Sequence, residues 1–310
     1  MKKLIALVLV FMLCAAALGE IDVAALNGPT GMGLVKLMAD EEGSGKYAFT
    51  LAGSADMVTP GLIKGETEIA CVPANLASVL YNKTNGRLTV LAVNTLGVMY
   101  ILERGDTVHT IYDLKGRTLY VSGKGSTPEY TIDFLLKSSG LDPENDVNIV
   151  FKSEHAECLT ALMQDADAVA MLPQPFATVA QSKKDDIRVA LDLTKEWEAR
   201  ESGSAMITGV VVANKEFAQS HPDEVTEFLE GYAASVAYVN ENVFEAAQLI
   251  GSYGIVDAAV AEKAIPYCNI VCITGEEMQE KLSGYLAVLM DQDAASVGGA
   301  LPGEDFYFVR

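Results

Sequence analysis

The sequence predicts an α/β protein of two similar lobes, each a mixed sheet flanked by helices, followed by a helical C-terminal region. Three observations carry this prediction. Short apolar runs alternate with segments of helical periodicity, which is typical of sheets covered by helices. One strand-to-helix segment recurs 100 residues further along the chain. From Pro222 onward the pattern becomes mostly helical. The 310 residues are enough for two domains.

Nine short apolar runs are predicted to be strands because each lies between segments of helical periodicity. The segments at residues 32–39 and 131–137 are examples of the predicted helices between them. In chain order the predicted strands are Ile21–Leu26, Tyr47–Leu51, Ile69–Val72, Leu88–Val93, Leu119–Val121, Val147–Phe151, Ala168–Leu172, Val189–Leu191 and Ile207–Ala213.

An internal echo predicts that the two lobes are alike. Residues 68–79 and 168–179 both contain a buried strand, then Pro, two variable residues, a large apolar residue, Ala, a small hydroxyl residue and Val. A looser echo pairs residues 27–31 with residues 123–128. Each lobe therefore offers two strand-to-helix turns, and ligands of open α/β sheets bind outside the carboxyl ends of strands. We expect a ligand site in the cleft where the turns of the two lobes meet.

The predicted domain boundaries follow from where the chain leaves and rejoins the first lobe. The segment Val98–Glu103 leaves it and the strand Ile207–Ala213 returns to it. Lobe 1 is therefore predicted to comprise residues 20–103 and 209–310, and lobe 2 residues 104–208.

The first nineteen residues are predicted to be a signal peptide. Two lysines precede the apolar run Leu4–Leu13, which is too short for the ~20 residues that span a bilayer and is followed by small residues. Cleavage is expected after Ala17 or Gly19, which places the protein outside the cytoplasm, in the periplasm or on the outer cell surface. Cys14 is a candidate lipid anchor, although the bulky Leu13 before it disfavours that role.

The charge of the chain argues against nucleic-acid binding. The formal net charge is −20, and it becomes −22 without the first nineteen residues. Affinity for phosphate backbones comes from basic residues, so a chain this acidic is a poor candidate. The acidic surface is expected to serve solubility.

Four cysteines remain after the signal peptide, at positions 71, 158, 268 and 272. Cys71 and Cys158 lie in or beside apolar runs, which favours buried free thiols. Cys268 and Cys272 are spaced to face each other on a helix, but this spacing alone is a weak metal signal. No metal site and no cofactor is predicted.

One turn has the chemistry of a ligand cradle. The flexible segment Ser122–Gly125 follows a buried strand and leads into a helix start. Ser126 or Thr127 is the predicted N-cap, and Pro128 suits the first helical position. Such a turn leaves backbone N–H groups unpaired, so it can hold an anion or a carbonyl without a catalytic side chain.

The order and spacing of seven motifs give the mature chain a resemblance to the substrate-binding proteins of ABC importers. It is similar to the group related to nitrate, sulfonate and thiamine-precursor binding proteins (the SsuA/THI5-like group). This resemblance implies a type II periplasmic-binding-protein fold that closes on a ligand and delivers it to a membrane permease. The motifs are Asn27–Gly33, Ile69–Ala77, Asp113–Gly116, Gly123–Glu129, Pro173–Phe176, Val211–Phe217 with His221-Pro222, and Gly298–Tyr307.

The candidate ligand-binding residues lie at the predicted strand-to-helix turns. Hydroxyls, amides and close-approach glycines predominate among them, and for the hydroxyls plain helix capping is the alternative role. Asn75 and Gln174 occupy matched positions after the two prolines, and Lys124 would pair with an anionic ligand or remain solvated. The candidates are Asn27, Thr30, Gly31, Met32, Pro73, Asn75, Ser122, Lys124, Gly125, Ser126, Thr127 and Gln174.

Other polar residues are expected to have structural roles. Glu154 and His155 precede an amphipathic segment, where they cap a helix or reach the cleft. His109 and His221 are expected to be structural or solvated, and Trp197 to be half-buried packing.

Three functions remain after these observations. The first is capture of a small anionic or heterocyclic ligand by a monomer that works with an ABC permease. The second is a ligand sensor for a membrane receptor, and the third is an enzyme on the same fold. Catalysis is disfavoured because the three histidines are scattered and no Ser-His-Asp or Cys-His spacing occurs. No catalytic residue is predicted.

Overall fold

The computed structural model describes residues 19–200 and 204–309. The predicted signal peptide, apart from Gly19, and the candidate lipidation site Cys14 lie outside the described residues. The described chain forms the strands β1 (Ile21–Leu26), β2 (Tyr47–Ala52), β3 (Ile69–Pro73), β4 (Leu88–Leu96), β5 (Met99–Arg104), β6 (Thr118–Ser122), β7 (Asn148–Lys152), β8 (Val169–Pro173), β9 (Ile187–Asp192), β10 (Ile207–Asn214) and β11 (Ile270–Ile273).

The helices lie between the strands and dominate after β10. They are α1 (Pro29–Met32), α2 (Val35–Asp40), α3 (Ala55–Lys64), α4 (Ala74–Lys83), α5 (Thr127–Ser138), α6 (His155–Gln164), α7 (Phe176–Lys183), α8 (Leu193–Glu198), α9 (Lys215–Ser220), α10 (Pro222–Glu241), α11 (Val243–Ser252), α12 (Ala258–Ala264) and α13 (Gly275–Gln292). Short 3-10 helices span Ile111–Leu114, Ile265–Tyr267, Ala294–Val297 and Glu304–Phe306. Across residues 19–200 and 204–309, every helix is too short or too polar to cross a bilayer.

The strands form two mixed sheets. The first sheet has the order β11-β4-β10-β3-β1-β2, and the second has the order β7-β6-β8-β5-β9. Taken from its other edge, the first sheet begins β2-β1-β3-β10-β4, and these five strands correspond in order to the five strands of the second sheet. In the first sheet β1 runs parallel to β2 and β3, and β10 runs antiparallel to β3 and β4. In the second sheet β6 runs parallel to β7 and β8, and β5 runs antiparallel to β8 and β9. The predicted mixed α/β fold with two flanked sheets is confirmed.

The internal echo has a structural counterpart. The strands of the two echoed segments, β3 and β8, occupy equivalent positions, each beside a parallel strand and an antiparallel one. The strands before the looser echo, β1 and β6, also correspond. Every residue of β8 is buried, and so is every residue of β3 except the last, because helices cover both faces of each sheet.

The predicted boundary between the lobes needs a correction. Residues 99–103 were assigned to lobe 1, but β5 pairs with β8 and β9 in the second sheet. Residues 207 and 208, assigned to lobe 2, begin β10 in the first sheet. The reason is that only Gly97 and Val98 separate β4 from β5 and both strands are largely apolar, so apolarity alone does not show where the chain changes sheet.

The prediction of mostly helix after Pro222 is correct except for β11. This short strand pairs with the edge of β4, and Cys272 lies in it. Cys268 ends the 3-10 helix before it, so the expectation that both cysteines share a helix is wrong. All four described cysteines are free, and Cys71, Cys158 and Cys268 are buried as expected.

Aromatic packing connects the lobes on one side. Trp197 is fully buried rather than half-buried, and its ring centroid lies 4.4 Å from that of Phe134 on α5 and 5.6 Å from that of Tyr285 on α13. Its indole N–H donates to Ser204 Oγ over 2.8 Å, so no polar group is left unpaired. This tryptophan therefore packs in the core and has no access to a ligand.

Candidate functional site

A cleft of about 670 Å³ lies where the two sheets face each other. It opens at the carboxyl ends of β3, β6 and β7, and the first residues of the antiparallel strands β5 and β10 reach the same edge. Both sheets contribute to its lining, which consists of Gly53, Pro73, Asn75, Leu76 and Thr208 on one side and Met99, Ser122, Gly123, Ser126, Thr127, Pro128, Ser153, Glu154, His155, Ala156 and Phe176 on the other.

A second cavity of about 620 Å³ lies at the opposite end of the first sheet. Lys64, Arg87 and Lys215 are among its lining residues, all of which belong to elements packed on the first sheet. It therefore lacks the property that makes the cleft a candidate site, namely walls from both sheets.

The turn after β6 places hydroxyl groups in the cleft. Gly123 and Gly125 adopt φ angles of 83° and 73°, which L side chains rarely tolerate. The turn then enters α5, where Ser126 holds the N-cap position and Pro128 the second helical position rather than the first. Ser126 Oγ donates to the Gly123 carbonyl over 2.6 Å, so its side chain closes the turn instead of capping the helix.

Thr127 and Asn75 meet across the cleft. Thr127 Oγ1 donates to Asn75 Oδ1 over 3.1 Å, and Asn75 Nδ2 in turn donates to the Ser296 carbonyl over 3.3 Å. Thr127 begins α5 on the second sheet, whereas Asn75 lies in the first turn of α4 on the first sheet. The pair is a direct hydrogen bond between the lobes at the wall of the cavity.

A serine–histidine pair forms another part of the wall. Ser122 Oγ and His155 Nδ1 are hydrogen-bonded, and the Ser122 side chain is nearly inaccessible at 2% exposure. The His155 ring centroid lies 5.4 Å from that of Phe176 with an interplanar angle of 51°. Burial lowers the pKa of His155, so its neutral form is favoured near neutral pH.

Some predicted residues line the cleft and others do not. Five of the twelve are in its walls: Pro73, Asn75, Ser122, Ser126 and Thr127. The others are placed elsewhere, namely Asn27, Thr30, Gly31, Met32, Lys124, Gly125 and Gln174.

The residues after β1 serve packing. Thr30 is 7% exposed and donates through Oγ1 to the Leu26 carbonyl over 3.3 Å. A Cβ at Gly31 would lie 2.5 Å from the Leu26 carbonyl oxygen, so Gly31 permits a close approach of helix and strand rather than of a ligand. Met32 is fully buried, with Sδ 4.0 Å from Cys268 Sγ. Asn27 is exposed, and its N–H donates to the Ala52 carbonyl.

Lys124 and Gly125 face away from the cleft. Lys124 Nζ lies 5.4 Å from the centroid of the Phe151 ring, and the residue lines a separate acidic cavity that includes Asp133. The Gly125 N–H donates to the Glu129 carboxylate and is not free for a ligand.

Gln174 departs from its match with Asn75. It is 3% exposed, and its Oε1 accepts from Thr178 Oγ1 over 2.8 Å. The cause is a difference in helix start: α4 begins directly after Pro73, whereas α7 begins at Phe176. Phe176 reaches the cleft, as does the residue matched with it, Leu76, whereas Gln174 does not.

The sequence interpretation missed most of the apolar lining. Leu76, Met99 and Phe176 resemble ordinary core residues of strands and amphipathic helices, and the only signal was that Leu76 and Phe176 are the matched large apolar residues of the internal echo. Glu154 and His155 line the cleft, which is one of the two roles that the sequence left open for them. The position of His155 after β7, the strand equivalent to β2, places it at another strand-to-helix turn of the second sheet.

Comparison with known proteins identifies the family that this chain resembles. The family model described as NMT1/THI5 like matches residues 85–246, slightly more than half of the chain. No protein in a search of curated sequences matches.

Solved structures extend the similarity to almost the whole length. An ABC transporter protein from Parabacteroides distasonis superposes with a TM-score of 0.80 at 23% identity, covering 93% of this chain and 98% of its own. The periplasmic aliphatic sulphonate binding protein SsuA of Escherichia coli gives 0.74 at 15% identity, covering 93% of both chains. The ligand binding component of an ABC-type import system from Staphylococcus aureus, solved with zinc bound, gives 0.69 at 15% identity, covering 94% and 97%. The chain belongs to the NMT1/THI5-like family, and its fold is that of the periplasmic binding proteins.

Proposed function

We propose that this protein is the exported solute-binding component of an ABC importer, which captures a small molecule between two lobes and delivers it to a membrane permease. The observation that carries the proposal is the cleft of about 670 Å³, whose walls come from both sheets. Ligand sites of open α/β sheets lie at this edge of the strands. Similar proteins of this fold are described as the ligand binding component of an ABC-type import system and as a periplasmic aliphatic sulphonate binding protein, which supports the same kind of role here.

The energetics of capture favour a site between two lobes. Micromolar affinity corresponds to ~8 kcal/mol. A single helix N-terminus contributes ~0.3–1 kcal/mol to binding a charged group. Burial of the ligand between apolar walls such as Leu76, Met99 and Phe176 would supply much of the remainder. A cleft that closes is therefore better suited to the task than one exposed turn.

Catalysis is the weaker alternative at this site. Ser122 and His155 resemble part of a nucleophilic triad, but within the described chain no carboxylate forms a hydrogen bond or ion pair with His155. The nearby Cys158 is not activated either, because burial raises the pKa of its thiol to about 11. A binding role explains the pair without a chemical step.

A thermal-shift screen tests the proposal. The panel contains sulfonates, nitrate, bicarbonate, pyrimidines and amino acids, and a ligand at 100 times its dissociation constant would add ~2.7 kcal/mol of stability. A stabilising compound should lose its effect on Phe176→Ala and keep it on Tyr112→Ala, an exposed aromatic outside the lining. Stabilisation that survives Phe176→Ala would place binding outside the cleft and contradict the proposal.

Export has its own test. Mass spectrometry of the protein recovered from its native cell should give a chain that begins after Ala17 or Gly19, with added lipid mass if Cys14 is the anchor instead. A full-length chain that retains residues 1–19 and stays in the cytoplasm would contradict export.

A further inference from the structure

The cleft contains little positive charge. Among the described lining residues there is one carboxylate, Glu154, one histidine, and no lysine or arginine. The lysines nearest in sequence are directed at aromatic rings: Lys124 Nζ lies 5.4 Å from the Phe151 centroid, and Lys152 Nζ lies 5.3 Å from the Tyr120 centroid. An anionic ligand would therefore meet no cationic side chain in these walls.

Two of the helix N-termini at the cleft, those of α5 and α6, have their own counter-charges, whereas α4 and α7, which also begin there, have no acidic residue in their first turn. Helices α5 and α6 begin at the cavity wall, and a helix N-terminus attracts negative charge. In α5 the third residue, Glu129, accepts a hydrogen bond from the Gly125 N–H. In α6 the third residue, Glu157, accepts one from the Ser153 N–H over 2.9 Å. These two carboxylates occupy the role that an anionic ligand would otherwise take.

The walls present an apolar face beside neutral hydrogen-bonding groups. Leu76 stands on one side, and Met99 and Phe176 stand on the other. The His155 ring lies beside Phe176, and its buried environment favours the uncharged imidazole. Hydroxyls and an amide complete the lining, so apart from the Glu154 carboxylate the available polar side chains are neutral donors and acceptors.

From these three observations we infer that the cleft takes a neutral or cationic organic molecule with an apolar face, and that it discriminates against inorganic anions and sulfonates. The inference rests on the proposed capture role and specifies its substrate class. It separates this chain from its structural neighbour described as an aliphatic sulphonate binding protein.

Three probes of matched size and shape test the charge preference: benzamidine, benzamide and benzoate, which carry positive, zero and negative charge. Saturation-transfer NMR titrations of the intact protein should show benzamidine and benzamide bound, and benzoate at least about tenfold weaker. Phe176→Ala should weaken the first two about tenfold. Leu76→Ala, on the opposite wall, is a second cleft variant in case the first does not fold.

The outcomes distinguish this inference from the capture role. Benzoate bound as well as benzamide, in a manner that depends on Phe176, would overturn the charge preference. If none of the three probes binds, the apolar-face inference fails, but the capture role still stands if the thermal-shift panel yields a cleft ligand. Failure of both the probes and the panel would overturn the inference and count against capture of the tested classes.

A variant tests the physical cause of the discrimination. Replacing Glu129 and Glu157 together by Gln keeps the side-chain length and a hydrogen-bond acceptor but removes both negative charges. The double variant should gain affinity for benzoate by about tenfold relative to wild type while benzamide binding stays within about twofold. Unchanged benzoate affinity in a folded double variant would overturn the assignment of these two carboxylates as the anion-excluding groups.

Discussion

Thr127 and Asn75 form a hydrogen bond of 3.1 Å between helices that belong to different sheets. The Asn75 side chain also donates through Nδ2 to the Ser296 carbonyl, and this second bond fixes its amide with Oδ1 toward α5. A hydroxyl and an amide oxygen at the wall of the cleft thus connect the two lobes directly. This bond favours an arrangement in which α4 and α5 lie close together.

Thr127→Val is expected to shift the ligand-free protein toward an open arrangement, because valine keeps the shape but cannot donate to Asn75. A typical net hydrogen bond contributes ~0.5–1.5 kcal/mol, so the open population should rise by about two- to tenfold. Small-angle scattering would detect this as an increased radius of gyration.

Thr131→Val is the matched control for that prediction. Thr131 lies one turn further along α5, is fully buried, and its hydroxyl has no hydrogen-bond partner among the described residues. Its replacement should leave the scattering profile unchanged. Equal profiles for both variants and wild type would contradict a role for the Thr127 bond in closure.

His155→Gln is expected to reduce the loss of stability at acidic pH. Burial lowers the pKa of His155 in the folded state, so the unfolded chain binds a proton first as the pH falls. Stability is therefore lost as the pH drops below the ordinary histidine pKa of ~6.5. Urea unfolding at pH 7.5 and at pH 5 should show a smaller decrease for the variant. The same decrease in both proteins would exclude His155 as a source of the acid sensitivity.

Gly97→Ala is expected to destabilise the fold at the point where the chain changes sheet. A Cβ there would lie 2.1 Å from Thr194 Oγ1 and 2.9 Å from Met206 Sδ, and both side chains are buried. Overpacking of this kind costs ~1–3 kcal/mol. Gly53→Ala provides the control, since nothing lies within 4 Å of its Cβ position. Urea unfolding should separate the two variants, and equal midpoints would contradict the packing argument.

The cysteines are expected to react slowly with a thiol reagent while the protein is folded. Burial raises the pKa of Cys71 and Cys268 to about 12 and of Cys158 and Cys272 to about 11, so few thiolates exist at pH 8. Cys272, the least buried, should react first. Labelling followed by peptide mass spectrometry measures the order, and rapid labelling of all four at equal rates would contradict it.

Much of the fold was predictable because local pattern and tertiary environment agree. The nine predicted strands exist because each is a compact apolar run, although β7 is only partly buried. Strand β5 was missed because it continues the apolarity of β4, and the change of sheet depends on Gly97 fitting against Thr194, which are distant in sequence. Strand β11 was missed because it is only an edge strand of four residues.

The site was predictable only in part. Pro73, Ser122 and Thr127 stand where strands end, and chain order alone places such residues at one edge of a sheet. The apolar walls were not predicted, because Met99 cannot be distinguished from a core residue and the match of Phe176 with Leu76 in the internal echo does not show that a cavity lies beside them. The direction of Lys124 depends on a ring from the neighbouring strand β7, which no local pattern encodes.

The insertion of the second sheet between β4 and β10 of the first has a consequence for the order of assembly. Strand β10 lies between β4 and β3, so the first sheet lacks its middle strand until residue 214 is available. An emerging chain that stops at residue 200 would leave β4 without a partner on either side and β3 with an open edge. The second sheet, whose strands all lie between residues 99 and 192, can be completed first. The lobe that begins the sequence is therefore the one that finishes folding last.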